Sequence, residues 1–216
     1  GITTVPGALV VDESRQDSVR RAAGWQDWQF PAYAGPLSGL MVDRNRYRRD
    51  AAFLADPGIA HGELLRGALE ARGVRVVGPT VHGSVPDGGA VVASLTSAPA
   101  SALISDTLLR SDNMAAEELL KEVGHATGAP GSTPGGLAAT RAALEPLCVP
   151  LSGSDDDGSG LSRANGRSPR EWRKLLQAAR DAPWWPQLQA ALPVAGRSGT
   201  LASRFRGTAA EGTVRA

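Results

Sequence analysis

Lysine is almost missing from this chain of 216 residues: Lys121 and Lys174 stand alone among 23 basic residues, the rest being arginine. That bias fits a GC-rich coding sequence and carries no mechanism of its own. Acidic residues number 22, so the formal charge is only +1. No basic stripe exists to neutralise a phosphate backbone, which excludes a nucleic-acid binder. Cysteine is rarer still. Cys148 is the only one, so no internal disulfide can form, and its place in the apolar run 147–151 predicts a buried structural thiol. No apolar stretch is long enough to span a bilayer, and no signal peptide is present. The chain starts at Gly1 without an initiator Met and stops at Ala216 in strand-like sequence, as expected of a cut or processed fragment.

Several chemistries are excluded in the same way. His61, His82 and His125 are scattered and lack the paired spacing of a zinc site. In the acidic run Asp155-Asp156-Asp157, Gly153 occupies the position of a calcium loop's first ligand and no Glu closes the loop, so the run reads as a solvated turn. Neither a Gly-x-x-x-x-Gly-Lys phosphate loop nor a Gly-x-Ser-x-Gly elbow occurs.

What remains is an ordinary soluble composition, 42% hydrophobic and 21% charged, with length for one sizeable core or two small ones. The 26 glycines and 15 prolines imply many turns. Residues 1–45 read as strands and loops. Ala8-Leu9-Val10-Val11 is an apolar run ending in the turn Asp12-Glu13-Ser14, and Trp25, Trp28, Phe30 and Tyr33 cluster as a mini-core. Leu64, Leu65, Ala68 and Leu69 have helical spacing, with Gly73 placed to end the helix. Residues 74–77 and 91–95 read as strands. Leu103, Ile104 and Leu108 define a second helix that stops before Ser111. A third resumes at Met114 with Ala116, Leu119, Leu120 and Val123 on its apolar face, leaving Lys121 as a solvated surface charge. A fourth covers 136–147. Ser168-Pro169-Arg170-Glu171 is a capping box with proline in the first turn, which points Trp172, Leu175, Leu176 and Ala179 at the core. Residues 192–216 read as short strands and turns.

Ser111-Asp112-Asn113 lies on the tight link between two amphipathic helices. By itself the tripeptide is a helix cap, since all three residues favour that position. Its neighbours change the reading. Ser111-Asp112-Asn113-Met114-Ala115-Ala116-Glu117 resembles the second active-site motif, and the helix after it, of the penicillin-binding serine peptidases. The likeness is to the class C low-molecular-mass D-alanyl-D-alanine carboxypeptidases. Asp157-Gly158-Ser159-Gly160-Leu161-Ser162-Arg163, with Asn165 and Ser168-Pro169, is similar to a second signature of that class. Leu192-Pro193-Val194-Ala195-Gly196, Gly199-Thr200-Leu201 and Arg204-Phe205 resemble a third. Gly7-Ala8-Leu9-Val10-Val11-Asp12 resembles the domain this class inserts between its first two motifs. The matches are co-linear over nearly the whole chain. Class A β-lactamases share the Ser-Asp-Asn triplet but lack the inserted domain and the Asp-Gly-Ser-Gly-Leu-Ser run, so they stand second.

The family's other two motifs are absent. Glu118 and Glu171, not serines, stand three residues before the two lysines, so there is no Ser-x-x-Lys to supply a nucleophile and its base. Arg197-Ser198-Gly199-Thr200 imitates a Lys-Thr-Gly strand, yet its flanks match the segment upstream of the true motif. Val214-Arg215-Ala216 instead resembles the residues leading into Lys-Thr-Gly. The resemblance thus implies a parent with Ser-x-x-Lys before Gly1 and Lys-Thr-Gly after Ala216, and an isolated chain that is inactive.

The resemblance also implies a fold: an α/β (α+β) transpeptidase or β-lactamase-like domain, a helical cluster on an antiparallel sheet, with part of an inserted β-rich domain. Residues 1–45 would belong to the insert and 46–216 to the catalytic domain. It implies that Ser111 relays a proton towards the departing D-alanine amine, that Asn113 binds the substrate's peptide backbone, and that Asp112 braces the turn. Asp157, Gly158, Ser159 and Gly160 are read as structural, near the site. No metal or organic cofactor is implied. The substrate would be a peptidoglycan stem peptide ending in D-Ala-D-Ala, β-lactam antibiotics would trap the same serine, and the location would be extracytoplasmic. A non-catalytic cell-wall binding or scaffold module is the reading from another class.

Overall fold

The computed structural model describes residues 1–46, 52–86, 88–149 and 152–216. Four short strands pair in parallel: β1 (Thr4–Val5) with β3 (Arg75–Val76), and β2 (Leu9–Val11) with β4 (Thr80–His82), in register Leu9 to Thr80 and Val11 to His82. Parallel neighbours need a crossover, which is helix α1 (Pro57–Glu70). Asp56 caps it by accepting from the Ile59 N–H at 3.2 Å, and Pro57 takes the first turn. Gly73, with φ +81°, ends it as expected. The helix lies close on its strands because Gly62 has no side chain: a Cβ there would stand 2.7 Å from Val11 Cγ2 and 2.6 Å from Thr80 Cγ2.

The named strands therefore form no antiparallel sheet. Among the described residues, antiparallel pairing is confined to the single bridges Arg46–Phe53, Ser154–Gly166 and Val194–Arg215. Residues 91–95, expected as a strand, run without a bonded neighbour, and Val91, Val92 and Leu95 are 83%, 80% and 98% exposed. A strand is defined by its partner, and β-branched sequence alone does not provide one.

Five further helices follow: α2 (Ala100–Arg110), α3 (Asn113–Ala126), α4 (Thr133–Leu144), α5 (Pro169–Arg180) and α6 (Trp185–Ala191). Helix α4 begins three residues earlier than expected, at the Ser132 cap, and its last turn, Glu145–Leu147, tightens to a 3-10 helix. Helix α5 has the expected capping box: the Glu171 N–H donates to Ser168 Oγ at 3.2 Å, and Ser168 N–H donates back to Glu171 Oε2 at 2.8 Å. The backbone N–H of Ser168, and then that of Gly153, hold the Glu171 carboxyl down to a pKa of about 2.

Three expectations about burial fail. Trp172 and Leu176 on α5 are exposed, and only Glu171 and Ala179 of that helix are buried. Cys148 is exposed, held at left-handed φ 53° where the 3-10 turn ends; the last two residues of its apolar run lie outside the described residues. On α3 the buried positions are Met114, Glu117, Glu118, Lys121 and Gly124, while Val123 is exposed. Polar Glu117, Glu118 and Lys121 are buried more deeply than apolar Ala116, Leu119 and Leu120, which are half-buried.

The main apolar cluster joins the loop 22–37 to the start of α3. Ala22, Trp25, Ala34, Leu37 and Met114 are buried together, with Phe30, Met41, Phe53 and Leu161 packed against them. Trp25 and Phe30 thus form the expected mini-core, but Trp28 and Tyr33 stay out of it.

Candidate active site

Helix α2 ends at Ser111, which takes the left-handed conformation, φ 55° and ψ 52°. The Ser111 N–H returns to Leu108 O at 3.3 Å and the Asp112 N–H to Thr107 O at 3.0 Å. This C-terminal turn favours glycine, and a side chain there costs on the order of 1–2 kcal/mol. Serine at that position keeps a hydroxyl on an exposed corner. The chain then turns into α3. Asp112 is the cap: its Oδ1 accepts from the Ala115 N–H at 3.2 Å. Its Oδ2 pairs with Arg44 Nε at 2.5 Å. Asn113 is the first helical residue. Of the three candidate caps in the triplet, the aspartate does the capping and leaves the serine hydroxyl and the asparagine amide on either side of it.

Asn113 is anchored from the other side. Its Nδ2 donates to Tyr33 O at 3.0 Å, and the Gly35 N–H donates to Met114 Sδ at 3.1 Å. The loop that supplies both partners also presents Trp28 and Tyr33. Their rings meet edge to face at 5.8 Å, and the two side chains are 58% and 59% exposed. An open aromatic pair therefore stands on the segment that holds Asn113. The sequence reading missed it. The one hint was Trp28 lying between polar Asp27 and Gln29, a poor setting for a core residue.

The run 155–157 is not a solvated turn. Asp155 pairs with Arg167 and with Arg141. Asp157 is buried and collects five hydrogen bonds. Oδ1 accepts from the Gly160 N–H at 2.9 Å and Asn165 Nδ2 at 2.5 Å. Oδ2 accepts from Ser159 Oγ at 2.6 Å, Trp25 Nε1 at 3.0 Å and the Ser162 N–H at 3.1 Å. Burial would raise its pKa, but the bonds from Ser159, Asn165 and the backbone overcome that and hold the carboxyl below its usual range. A compact knot on one carboxylate explains why residues 157–162 need so many small and hydroxylated side chains. Gly158 fits it against α3, where a Cβ would meet Ala116 O at 3.0 Å and Leu120 Cβ at 2.9 Å.

Helix α3 links turn and knot. Glu117 is fully buried: its Oε1 accepts from Thr133 Oγ1 at 2.5 Å and its Oε2 from the Gly158 N–H at 2.7 Å. Glu118 accepts from the Ser38 N–H at 2.8 Å, and burial pushes its carboxyl up to about 7. Burial raises Glu117 too. Lys121 is not a surface charge. It is 1% exposed, and its Nζ donates to Asp17 Oδ1 at 2.8 Å and Val19 O at 3.0 Å. A buried ammonium needs such partners, and they come from a loop more than a hundred positions earlier, which no local pattern announces.

The structure thus gathers Ser111, Asp112 and Asn113 into one turn. It places Asp157, Gly158, Ser159 and Gly160 about one helical turn along α3, joined through Glu117 and Trp25. Elsewhere, Glu13, Asp56 and His82 bring ligand-type atoms within 4.8 Å of one another. Arg20 already makes two 2.7 Å bonds to Glu13, so a cation is built into that cluster, and it reads as an ion-pair network.

The chain is similar to several known proteins. The chain is 38% identical to a D-alanyl-D-alanine carboxypeptidase of Actinomadura sp. (strain R39), over 87% of this chain and 34% of that protein. It is 30% identical to the carboxypeptidase DacB of Mycolicibacterium smegmatis, over 95% of this chain and 46% of that one. The chain spans less than half the length of these relatives. Among solved structures, penicillin binding protein 4 (dacB) from Haemophilus influenzae superposes on all of this chain and 63% of its own, with TM-score 0.82 at 19% identity, which establishes a shared mixed α/β fold. The sequence profile of the D-Ala-D-Ala carboxypeptidase 3 (S13) family matches residues 49–216, and the chain belongs to that family.

Proposed function

We propose that the protein carrying this chain is a serine-type D-alanyl-D-alanine carboxypeptidase of the cell envelope, acting on peptidoglycan stem peptides and trapped by β-lactams. The observation that carries the proposal is the Ser111–Asn113 turn, with an exposed hydroxyl at a left-handed corner and an amide anchored on Tyr33 O. A nucleophilic serine outside this chain attacks the penultimate D-alanine carbonyl, forming an acyl-enzyme as the terminal D-alanine leaves. Ser111 passes a proton to the departing amine. Asn113 has its Oδ1 and its second amide hydrogen for the substrate's peptide groups. The Trp28–Tyr33 pair offers an apolar wall beside them. Among the described residues no helix is long and apolar enough to cross a membrane, and the extracytoplasmic location rests on the substrate.

The division at residue 45 is part of this proposal. The strand pairs β1–β3 and β2–β4 cross it, so the two parts should unfold in one transition.

Incubation of the full-length protein with a fluorescent penicillin tests the activity. Covalent, denaturation-resistant label is expected on the full-length protein, and none on residues 1–216 alone. An unlabelled but folded full-length protein would favour a cell-wall scaffold, and label on the isolated chain would reveal a nucleophile within it.

A further inference from the structure

The inner side of α3 is fastened at every turn. Met114 takes the Gly35 N–H, Glu117 takes Gly158 N–H and Thr133 Oγ1, Glu118 takes the Ser38 N–H, and Lys121 donates to Asp17 and Val19. Asn113, Glu117 and Lys121 follow one another at four-residue spacing, so they share a face of the helix. Glu117 is the innermost of the three and bridges two separate elements, the Asp157 knot and the first turn of α4. Both its oxygens are used, and each donor comes from a different segment. If α3 rotated or slid enough to carry Asn113 away from Tyr33 O, a carboxylate with no solvent exposure would lose its partners. That is a restoring force applied one turn from the site.

We infer that Glu117 is a positioning residue for Ser111 and Asn113, fixing the azimuth of α3 by clamping it between Gly158 and Thr133. The inference rests on the functional reading above. Glu117 does not touch substrate in this role. Glutamine satisfies the same geometry, because its Oε1 can accept from Gly158 N–H while its Nε2 donates to Thr133 Oγ1. Alanine satisfies neither partner.

The test measures β-lactam acylation of full-length Glu117→Ala and Glu117→Gln proteins against the unsubstituted protein, separating the acylation rate constant from the dissociation constant of the non-covalent complex. In Glu117→Ala the rate constant is expected to fall about tenfold or more, with the dissociation constant changed less than twofold, and Glu117→Gln should restore the rate. A residue needed only for stability would lower the melting temperature yet leave the rate per folded molecule unchanged, and that result overturns the inference. If Glu117→Ala does not fold, Thr133→Val decides, since it removes one donor only: a slowed rate supports the clamp and an unchanged rate overturns it. An unsubstituted protein that no penicillin acylates would instead overturn the carboxypeptidase reading, and the inference with it.

Discussion

Asn113 reaches back 80 positions to donate its side-chain amide to the carbonyl of Tyr33 at 3.0 Å. A backbone acceptor fixes the amide's orientation whatever side chain residue 33 bears. The bond therefore assigns Oδ1 as the free acceptor and separates two roles that lie close in space.

That separation can be measured in the full-length protein. Asn113→Ala removes the amide, and β-lactam acylation should slow by about 10²-fold, as for other donors lost from a reaction site, with the fold kept. Tyr33→Ala keeps the carbonyl that holds Asn113 and removes only the ring. It should weaken non-covalent binding several-fold with little change in the acylation rate constant. Equal losses in rate for both variants would show that the ring, not the carbonyl, supports Asn113.

Trp25 Nε1 donates to Asp157 Oδ2 at 3.0 Å and to Ser159 Oγ at 3.1 Å. Trp25→Phe keeps most of the apolar contact with Met114 but removes this donor. The carboxylate still has four others, so the loss should be modest, about 1–2 kcal/mol in urea unfolding. Asp157→Ala strips five donors of their acceptor at once and should lose at least twice as much. The reverse order would mean that Trp25 contributes packing and the knot contributes little.

The two lysines provide an internal control. Lys121 is buried against Asp17 and Val19, whereas Lys174 is exposed on α5. Lys121→Met retains the aliphatic stem and gives up two hydrogen bonds, so a loss of about 1–3 kcal/mol is expected. Lys121→Ala adds a cavity and should lose about 3–5 kcal/mol. Lys174→Ala should stay within about 0.5 kcal/mol. Similar melting temperatures for Lys121→Met and Lys174→Ala would place Lys121 back on the surface.

These residues also mark where the sequence was legible. Local signals were read correctly: the Ser168–Glu171 box, the stop at Gly73, and the helix pair around Ser111 all depend on neighbours within four positions. The α6 helix was missed because Trp184, Trp185 and two prolines hide its short period. The largest error concerned α3. Periodicity places Ala116, Leu119 and Leu120 on a face that is half-buried. It gives no sign that Glu117, Glu118 and Lys121 are buried more deeply, because their partners come from residues 158, 133, 38 and 17. A buried charge is dictated by its partners, and periodicity carries no record of them. Asp157 looks solvated for a different reason. Ser159, Gly160, Ser162 and Asn165 lie within eight positions, but the loop that folds them onto one carboxylate, with Trp25 from far off, has no period to read.

Glu118 gives a pH dependence with a definite sign. Its carboxyl is raised from 4.5 to about 7, first by burial, against the opposing Ser38 N–H, Lys121 and Gln16; neighbouring Glu117 adds to the rise. Among the described residues Glu118 Oε2 is buried without a hydrogen-bond partner, and an unpaired buried carboxylate oxygen favours the protonated form. The folded state thus holds a proton that the unfolded chain has released, so stability should fall as pH rises from about 5 to about 8, by up to about 3 kcal/mol. Glu13 behaves oppositely and in another window. Arg20 holds it down to about 2 from 4.5, so its contribution is present above pH 4.5 and is lost as pH falls towards 2. Glu118→Gln keeps an acceptor for Ser38 and gains a permanent amide donor. It should match the unsubstituted protein near pH 5, exceed it at pH 8, and flatten the slope between them in urea titrations. If both proteins lose stability in parallel across that range, the titrating group is not Glu118.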